Sequence, residues 1–144
     1  MNARCILDTG PLVAALNRAE RHHEWARKQF SELPRPFASC EAVLSECAFL
    51  LRGGARDGLL RLFEEKHGLL ISLVDETTPI GTLMRKYSDV PMSYADACLV
   101  RLSEMNPQLP VVTLDADFAF YRRNRNQRLP LIAPFAQRRA RSSL

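Results

Sequence analysis

The chain has 144 residues, 47% of them hydrophobic and 25% charged, which is typical of one globular domain and argues against a disordered chain. No apolar run approaches the ~20 residues of a membrane span, and the N-terminus lacks a signal-peptide pattern, so we expect a cytoplasmic protein without a membrane partner. The formal net charge of +4 is unevenly distributed, because seven arginines and no acid follow Phe120, and without them residues 1–120 carry −3. Such an arginine-rich end favours a nucleic-acid partner, the alternative being a basic tail that only aids solubility.

Runs of apolar residues separated by amphipathic segments predict alternating strands and helices. In chain order the predicted elements are a strand over 3–7, a helix over 10–16, a helix over 21–33, an edge strand over 37–38, a largely buried helix over 40–52 ended by Gly53-Gly54, a helix over 55–67, a strand over 69–74, a helix over 77–88, a helix capped by Ser93 and ending near 105, a strand over 111–114, a short helix over 118–123, and an edge strand over 129–133. This order implies right-handed crossovers. The predicted fold class is therefore α/β, a single three-layer α/β/α domain with a central, mostly parallel sheet.

Two of the predicted buried strands end at an aspartate. Asp8 follows Cys5-Ile6-Leu7, and Asp115 follows Val111 to Leu114. In open α/β sheets the carboxyl ends of the strands are where ligands bind, so one parallel sheet would bring both acids to one crevice. Asp75 also follows an apolar run, but its sequence context is that of a helix entry, and we assign it to helix capping.

Two further acids lie in helices. Glu46 has mainly apolar neighbours, and a glutamate in a buried helix needs a partner or a metal ion; the alternative is a position at the rim of the domain. Asp96 stands three residues after Ser93, the spacing of a capping box, so its carboxylate could serve the helix end alone. Capping and metal binding are compatible, and both stay open for Asp96.

Several carboxylates in one pocket repel one another unless a cation compensates them. The histidines lie away from the acids, and the four cysteines form no C-x-x-C pair, so a zinc site is not indicated and the cysteines are expected to be small buried hydrophobic residues. Oxygen ligands alone favour Mg²⁺ or Mn²⁺, which support phosphoryl-transfer chemistry. Together with the arginine-rich end, where Arg122, Arg123 and Arg125 are candidate RNA contacts, this points to a phosphodiester substrate.

Four segments, in this order and spacing, resemble the PIN domain family, and most closely its VapC-type toxin ribonucleases. They are ILDTGPLVA over 6–14, VLSE over 43–46, SYADA over 93–97 and VTLDADF over 112–118, and the resemblance extends from residue 4 to about residue 121. It implies a Mg²⁺- or Mn²⁺-dependent endoribonuclease, with residues 1–135 as the PIN-like nuclease domain and 136–144 as a basic tail.

The resemblance also implies roles for individual residues. The catalytic and metal-binding acids would be Asp8, Glu46, Asp96 and Asp115, with Asp117 as a supporting metal ligand. Thr9 and Thr113 would support these ligands through their hydroxyl groups, and Ser93 would orient the start of its helix. The implied partners are RNA, a cognate antitoxin whose arginine enters the acidic pocket, and a second copy of the chain in a homodimer.

Other functions stay open at this point. The chain could be a stand-alone PIN nuclease in RNA processing, or a non-catalytic RNA- or protein-binding module that EDTA leaves unaffected. A phosphatase of the haloacid-dehalogenase type also places an aspartate after the first strand, but it needs a second aspartate two residues later, where this chain has Gly10.

Overall fold

The computed structural model describes residues 2–135. Its helices are α1 (Thr9–Leu16), α2 (His23–Glu32), α3 (Glu41–Leu50), α4 (Gly53–Glu64), α5 (Thr77–Lys86), α6 (Tyr94–Met105) and α7 (Asp117–Phe120), and its strands are β1 (Cys5–Leu7), β2 (Phe37–Ser39), β3 (Gly68–Leu70), β4 (Val111–Val112), β5 (Arg122–Arg123), β6 (Gln127–Arg128) and β7 (Leu131–Ile132). The predicted tail, residues 136–144, lies outside the described residues. Within them, no helix is long and apolar enough to cross a membrane.

Five of the strands form one parallel sheet in the order β3-β2-β1-β4-β7. Helices cover both faces of this sheet, which gives three layers. The chain moves outward from β1 to β2 and β3, and then returns to the other side of β1 with β4. The direction of travel therefore reverses between β1 and β4. The predicted fold class is confirmed, and all three residues of β1 are buried, as their unbroken apolar sequence requires.

Most strands of the sheet are shorter than predicted, and two of the predicted strands differ most. β2 lies between β1 and β3 and not at an edge, because Pro34 and Pro36 precede it and leave its hydrogen-bonding positions free. The strand predicted over 69–74 is shorter, since its partner β2 ends at Ser39. The Ile71 N–H makes a last hydrogen bond to Ser39 O at 2.8 Å, and Val74–Glu76 then forms a 3-10 turn. β7 is an edge strand, as predicted.

Helix α3 is less buried than its composition suggests. Only Val43 and Cys47 are buried, while Phe49 is 81% and Leu50 is 55% exposed. The glycines after it do not form a loop: α4 begins at Gly53, whose positive φ of 53° allows a tight turn between the two helices. The prediction of a largely buried helix is therefore wrong.

The segment after α7 also differs from the prediction. A two-stranded antiparallel hairpin, β5 and β6, replaces the end of the predicted helix over 118–123. Asn124 and Arg125 have positive φ values of 45° and 76° in its turn. The pair lacks the glycine that usually marks such turns in a sequence.

Candidate active site

Asp8 and Asp115 meet at the point where the chain's path across the sheet reverses. β1 and β4 pair in parallel with Leu7 opposite Val112, so both strands end at the same edge. Thr113 is fully buried there; its Oγ1 donates to Asp8 Oδ2 at 2.7 Å and accepts from the backbone N–H of Asp115 at 2.9 Å. One hydroxyl group thus connects the two strand-end aspartates, in the crevice where open α/β sheets bind ligands.

Asp8 is a buried carboxylate whose charge is poorly compensated. It is 6% exposed, and as the N-cap of α1 its Oδ1 accepts from the Thr9 backbone N–H at 2.8 Å. Burial raises the pKa of Asp8 to about 7; its hydrogen bonds from Thr113 and Thr9 oppose the shift, and the charges of Asp96 and Asp115 add to it. Near neutral pH this group is therefore partly protonated, unless a cation stabilises its charge.

Asp96 both caps a helix and faces the other acids. Its Oδ2 accepts from the Ser93 N–H at 3.2 Å, and its own N–H donates to Ser93 Oγ at 3.0 Å, which completes the predicted capping box. Burial raises the pKa of Asp96, and the charge of Asp115 raises it further. Capping and proximity to the acidic group therefore coexist, and Ser93 fixes the start of α6 as expected.

Tyr121 belongs to the site, although the sequence pattern did not single it out. Its fully buried ring packs edge-on against Tyr87 and Phe118, and its hydroxyl donates to Asp96 Oδ2 at 3.2 Å. Burial raises the pKa of Tyr121, as do the charges of Asp96, Asp117 and Asp115, so it stays a donor. The one signal in the sequence was that a tyrosine in an apolar stretch needs a polar partner.

Glu46 reaches the site from its rim. The side chain is exposed, so the argument from a buried helix does not hold, and the rim position is the correct alternative. Its Oε2 accepts from Thr9 Oγ1 at 2.8 Å, while the backbone N–H of the same threonine serves Asp8. Thr9 therefore connects these two carboxylates, just as Thr113 connects Asp8 and Asp115.

Asp117 stands in the first turn of α7. Its backbone N–H donates to Asp115 Oδ1 at 2.9 Å, so the Asp115 carboxylate helps to organise this short helix. The charge of Asp117 is one of the causes that raise the pKa of the Tyr121 hydroxyl. Asp117 is thus at the edge of the acidic group, beside the tyrosine that holds Asp96.

The carboxylate oxygens of this site are the ligands that a hard divalent cation prefers, but the carboxylates stand too far apart to hold one together. The charges of Asp96 and Asp115 raise the pKa of Asp8, and the charge of Asp115 also raises that of Asp96. Burial raises the pKa of the nearby Cys47 thiol to about 12, so oxygen atoms are the available ligands. Within residues 2–135, no three His, Cys, Asp or Glu side chains lie close enough to hold an ion as they stand. Binding a cation would require the carboxylates to move closer together.

The three candidate RNA-binding arginines have different surroundings. Arg123 is buried, and its guanidinium donates to Ser103 Oγ and O, to Pro107 O and to Gln127 Oε1, so it is not free to contact RNA. Arg122 is half-buried, and its Nη1 donates to three carbonyl oxygens at the end of α7. Arg125 is exposed in the hairpin turn. The prediction that Arg123 contacts RNA is therefore wrong.

Comparisons with known proteins agree with this fold. A family model described as PIN domain matches residues 5–124. Two solved structures are similar: VapC20 of Mycobacterium tuberculosis, a Sarcin-Ricin loop cleaving toxin, with a TM-score of 0.74, 16% identity and coverage of 81% of this chain and 93% of that one, and a toxin–antitoxin complex from Klebsiella pneumoniae, with a TM-score of 0.60, 17% identity and coverage of 80% and 90%. At these identities the likeness shows a shared fold. No curated protein matches the sequence significantly.

Proposed function

The chain belongs to the PIN domain family, and on that premise we propose that it is a Mg²⁺- or Mn²⁺-dependent endoribonuclease and the toxin of a toxin–antitoxin pair. The observation that carries the proposal is Asp8. A carboxylate buried beside two others, with its pKa raised to about 7, is costly to keep in a fold, and a bound cation would remove that cost. Strongly perturbed acids of this kind cluster at functional sites.

The residues that would hold the cation are Asp8, Asp96 and Asp115, with Glu46 at the rim and Asp117 in support. A bound Mg²⁺ or Mn²⁺ would activate a water molecule and stabilise negative charge on the phosphoryl oxygen. The chain's own groups prepare the site for this role: Thr113 and Thr9 orient Asp8, while Ser93 and Tyr121 hold Asp96.

A basic surface beyond Tyr121 supports RNA as the substrate. Lys86, Arg122 and Arg125 line a cavity of about 530 Å³ between α5 and the hairpin, with Glu104 as an acid in its lining. The ring of Phe120 is exposed and packs edge-on against Tyr87, which follows Lys86 in the chain. Cations next to an exposed aromatic ring are typical of surfaces that bind single-stranded nucleic acid, where they contact phosphates and stack on bases.

The Asp8→Asn substitution tests the proposed activity. With Mg²⁺ or Mn²⁺ supplied, we expect the parental protein to cut RNA and the variant to lose at least about 100-fold in rate, because the amide cannot replace a charged ligand. The matched control is Asp75→Asn, an exposed aspartate in the turn after β3 that should leave the rate unchanged. Cleavage at the parental rate by Asp8→Asn, or cleavage that EDTA leaves intact, contradicts the proposal.

The toxin role and the partners follow from the same proposal. Expression of the parental chain should arrest growth while Asp8→Asn should not, and a cognate antitoxin placing an arginine among the acids should prevent the arrest. Of the two similar structures named above, one is a toxin and the other a toxin–antitoxin complex, which supports this role.

We further propose a cytosolic homodimer, for which the exposed Phe49 and Leu50 of α3 offer apolar surface. Sedimentation of the purified chain, alone and with the antitoxin, measures both associations.

A further inference from the structure

A second cavity lies at the same edge of the sheet as the acids, on the side of β2 and β3. It has a volume of about 240 Å³ and is enclosed by the start of α3, the start of α6 and the chain that follows β3. Cavities for drug-sized ligands have about 300–1,000 Å³, so this one suits a smaller group. None of the hydrogen-bonded residues described above around Asp8 and Asp96 lines it.

The lining of this cavity disfavours a phosphate and suits a flat, partly polar ring. Ala42, Ile71, Leu73 and Val74 provide apolar walls, and Glu41 is the one charged side chain among the described residues that line it. An anion would be repelled by this carboxylate, with no lysine or arginine of the lining to attract it. An uncharged ligand with apolar faces and N–H donors at its edge fits these walls.

Tyr94 lines the cavity and provides it with an aromatic ring. Its side chain is 48% exposed, unlike the buried Tyr87 and Tyr121. Tyr94 stands in the first turn of α6 two residues before Asp96, so the two side chains lie on opposite sides of the helix. The cavity adjoins the acids through Cys40 of its lining, which follows β2 as Asp8 follows β1, and these two strands pair with Ile6 opposite Ala38. An exposed tyrosine ring is a platform on which nucleobases stack, whatever their sequence.

We propose that this cavity binds one nucleobase of the RNA next to the cleaved phosphodiester bond, with the base stacked on the ring of Tyr94. The inference rests on the proposed ribonuclease function and adds a specificity site to it. Glu41 accepts hydrogen bonds only, so it favours a base with an exocyclic amino group, as in adenine, cytosine and guanine. The one donor of uracil, N3–H, stands between two carbonyl oxygens, which the carboxylate repels.

The test uses short oligoribonucleotides in which each position around the cut carries each of the four bases in turn. For the parental protein with Mg²⁺ or Mn²⁺, we expect discrimination against uracil at one position near the cut. Tyr94→Ala should raise KM about tenfold and flatten this preference, because a stacked base is lost. Tyr94→Phe keeps the ring and should retain both parental values, and Glu41→Gln should weaken the discrimination against uracil.

Met105→Ala is the matched control, since it removes another exposed apolar side chain of α6 that does not line the cavity. Binding is measured separately by fluorescence anisotropy in the Asp8→Asn background, in which cleavage does not consume the RNA. If Tyr94→Ala binds and cuts all the oligonucleotides as the parental protein does, or lowers kcat at an unchanged KM, the nucleobase site is wrong and the ribonuclease activity stands. If the parental protein neither binds nor cuts RNA, both proposals are wrong.

Discussion

Asp8 and Arg123 are two charged residues that are almost equally buried, at 6% and 4% exposure, yet their surroundings differ in kind. The Arg123 guanidinium donates four hydrogen bonds to neutral oxygens of the protein, which satisfy it. Asp8 receives two hydrogen bonds and has carboxylates as its charged neighbours. Burial alone therefore does not mark a functional charge; what distinguishes Asp8 is that the chain leaves its charge without compensation.

The largest expected difference concerns the pH dependence of stability in EDTA. The folded-state pKa of Asp8 is raised from 3.8 to about 7, so between these values the native state holds more protons than the unfolded state and stability falls as pH rises. For Asp8 this amounts to about 3 kcal/mol less free energy of unfolding at pH 8 than at pH 5.

Urea titrations of the parental protein and of Asp8→Asn at the two pH values measure this effect. The variant has no titrating group at this position, so its free energy of unfolding should change less with pH, and it should exceed that of the parental protein at pH 8. Adding Mg²⁺ should restore part of the parental stability at pH 8. Equal pH dependence of the two proteins would show that Asp8 is not the uncompensated charge described here.

Arg123 and Arg125 provide the opposite case, in two arginines of one hairpin. Arg123→Met should lower the free energy of unfolding by about 2 kcal/mol, because the carbonyl and hydroxyl oxygens that it satisfies lose their donor. Arg125→Met should change stability by less than about 0.5 kcal/mol and instead weaken RNA binding and its salt dependence. Urea titration and RNA binding at two salt concentrations separate the roles; a stable Arg123→Met with weakened RNA binding would reverse them.

The smallest expected effect is that of the hydroxyl between the two aspartates. Thr113→Val removes the donor to Asp8 and the acceptor for the Asp115 N–H, with nearly the same side-chain volume. We expect a loss of about 1 kcal/mol of stability and a further rise in the pKa of Asp8. The higher pKa should shift the pH profile of the cleavage rate toward higher pH. Thr82→Val, whose exposed hydroxyl only donates to Thr78 O, is the control; identical pH profiles for both variants would contradict a role for Thr113.

Local sequence was sufficient where local chemistry decides the structure. Ser93 and Asp96 form the capping box that their spacing predicts, because both partners lie within one helical turn. The positions of Asp8 and Asp115 were predictable for a related reason: unbroken apolar strands are buried in a parallel sheet, and their carboxyl ends share one edge. The same rule also pointed to Asp75, which stands exposed in a turn without the capping role assigned to it.

Composition was a poor guide to burial in α3. Its many apolar residues suggested a buried helix around Glu46, yet both Phe49 and Leu50 are exposed, and Glu46 is at the rim. A helix with apolar residues on all faces does not reveal which face packs on the sheet. Glu46 nevertheless reaches the acidic group through Thr9, a contact between residues 37 positions apart that no local pattern contains.

The sequence by itself determined the α/β order, the two strand-end aspartates and the capped helix that carries Asp96, because each depends on local periodicity or on chemistry within a few residues. Only the tertiary structure decided that Thr113 connects Asp8 with Asp115, that Tyr121 holds Asp96, and that Arg123 is buried while Arg125 is exposed. These contacts join distant segments, and they depend on which strands are neighbours and which side chains the packing leaves exposed. Whether a buried charge is compensated therefore depends on the side chains that the folded chain brings around it.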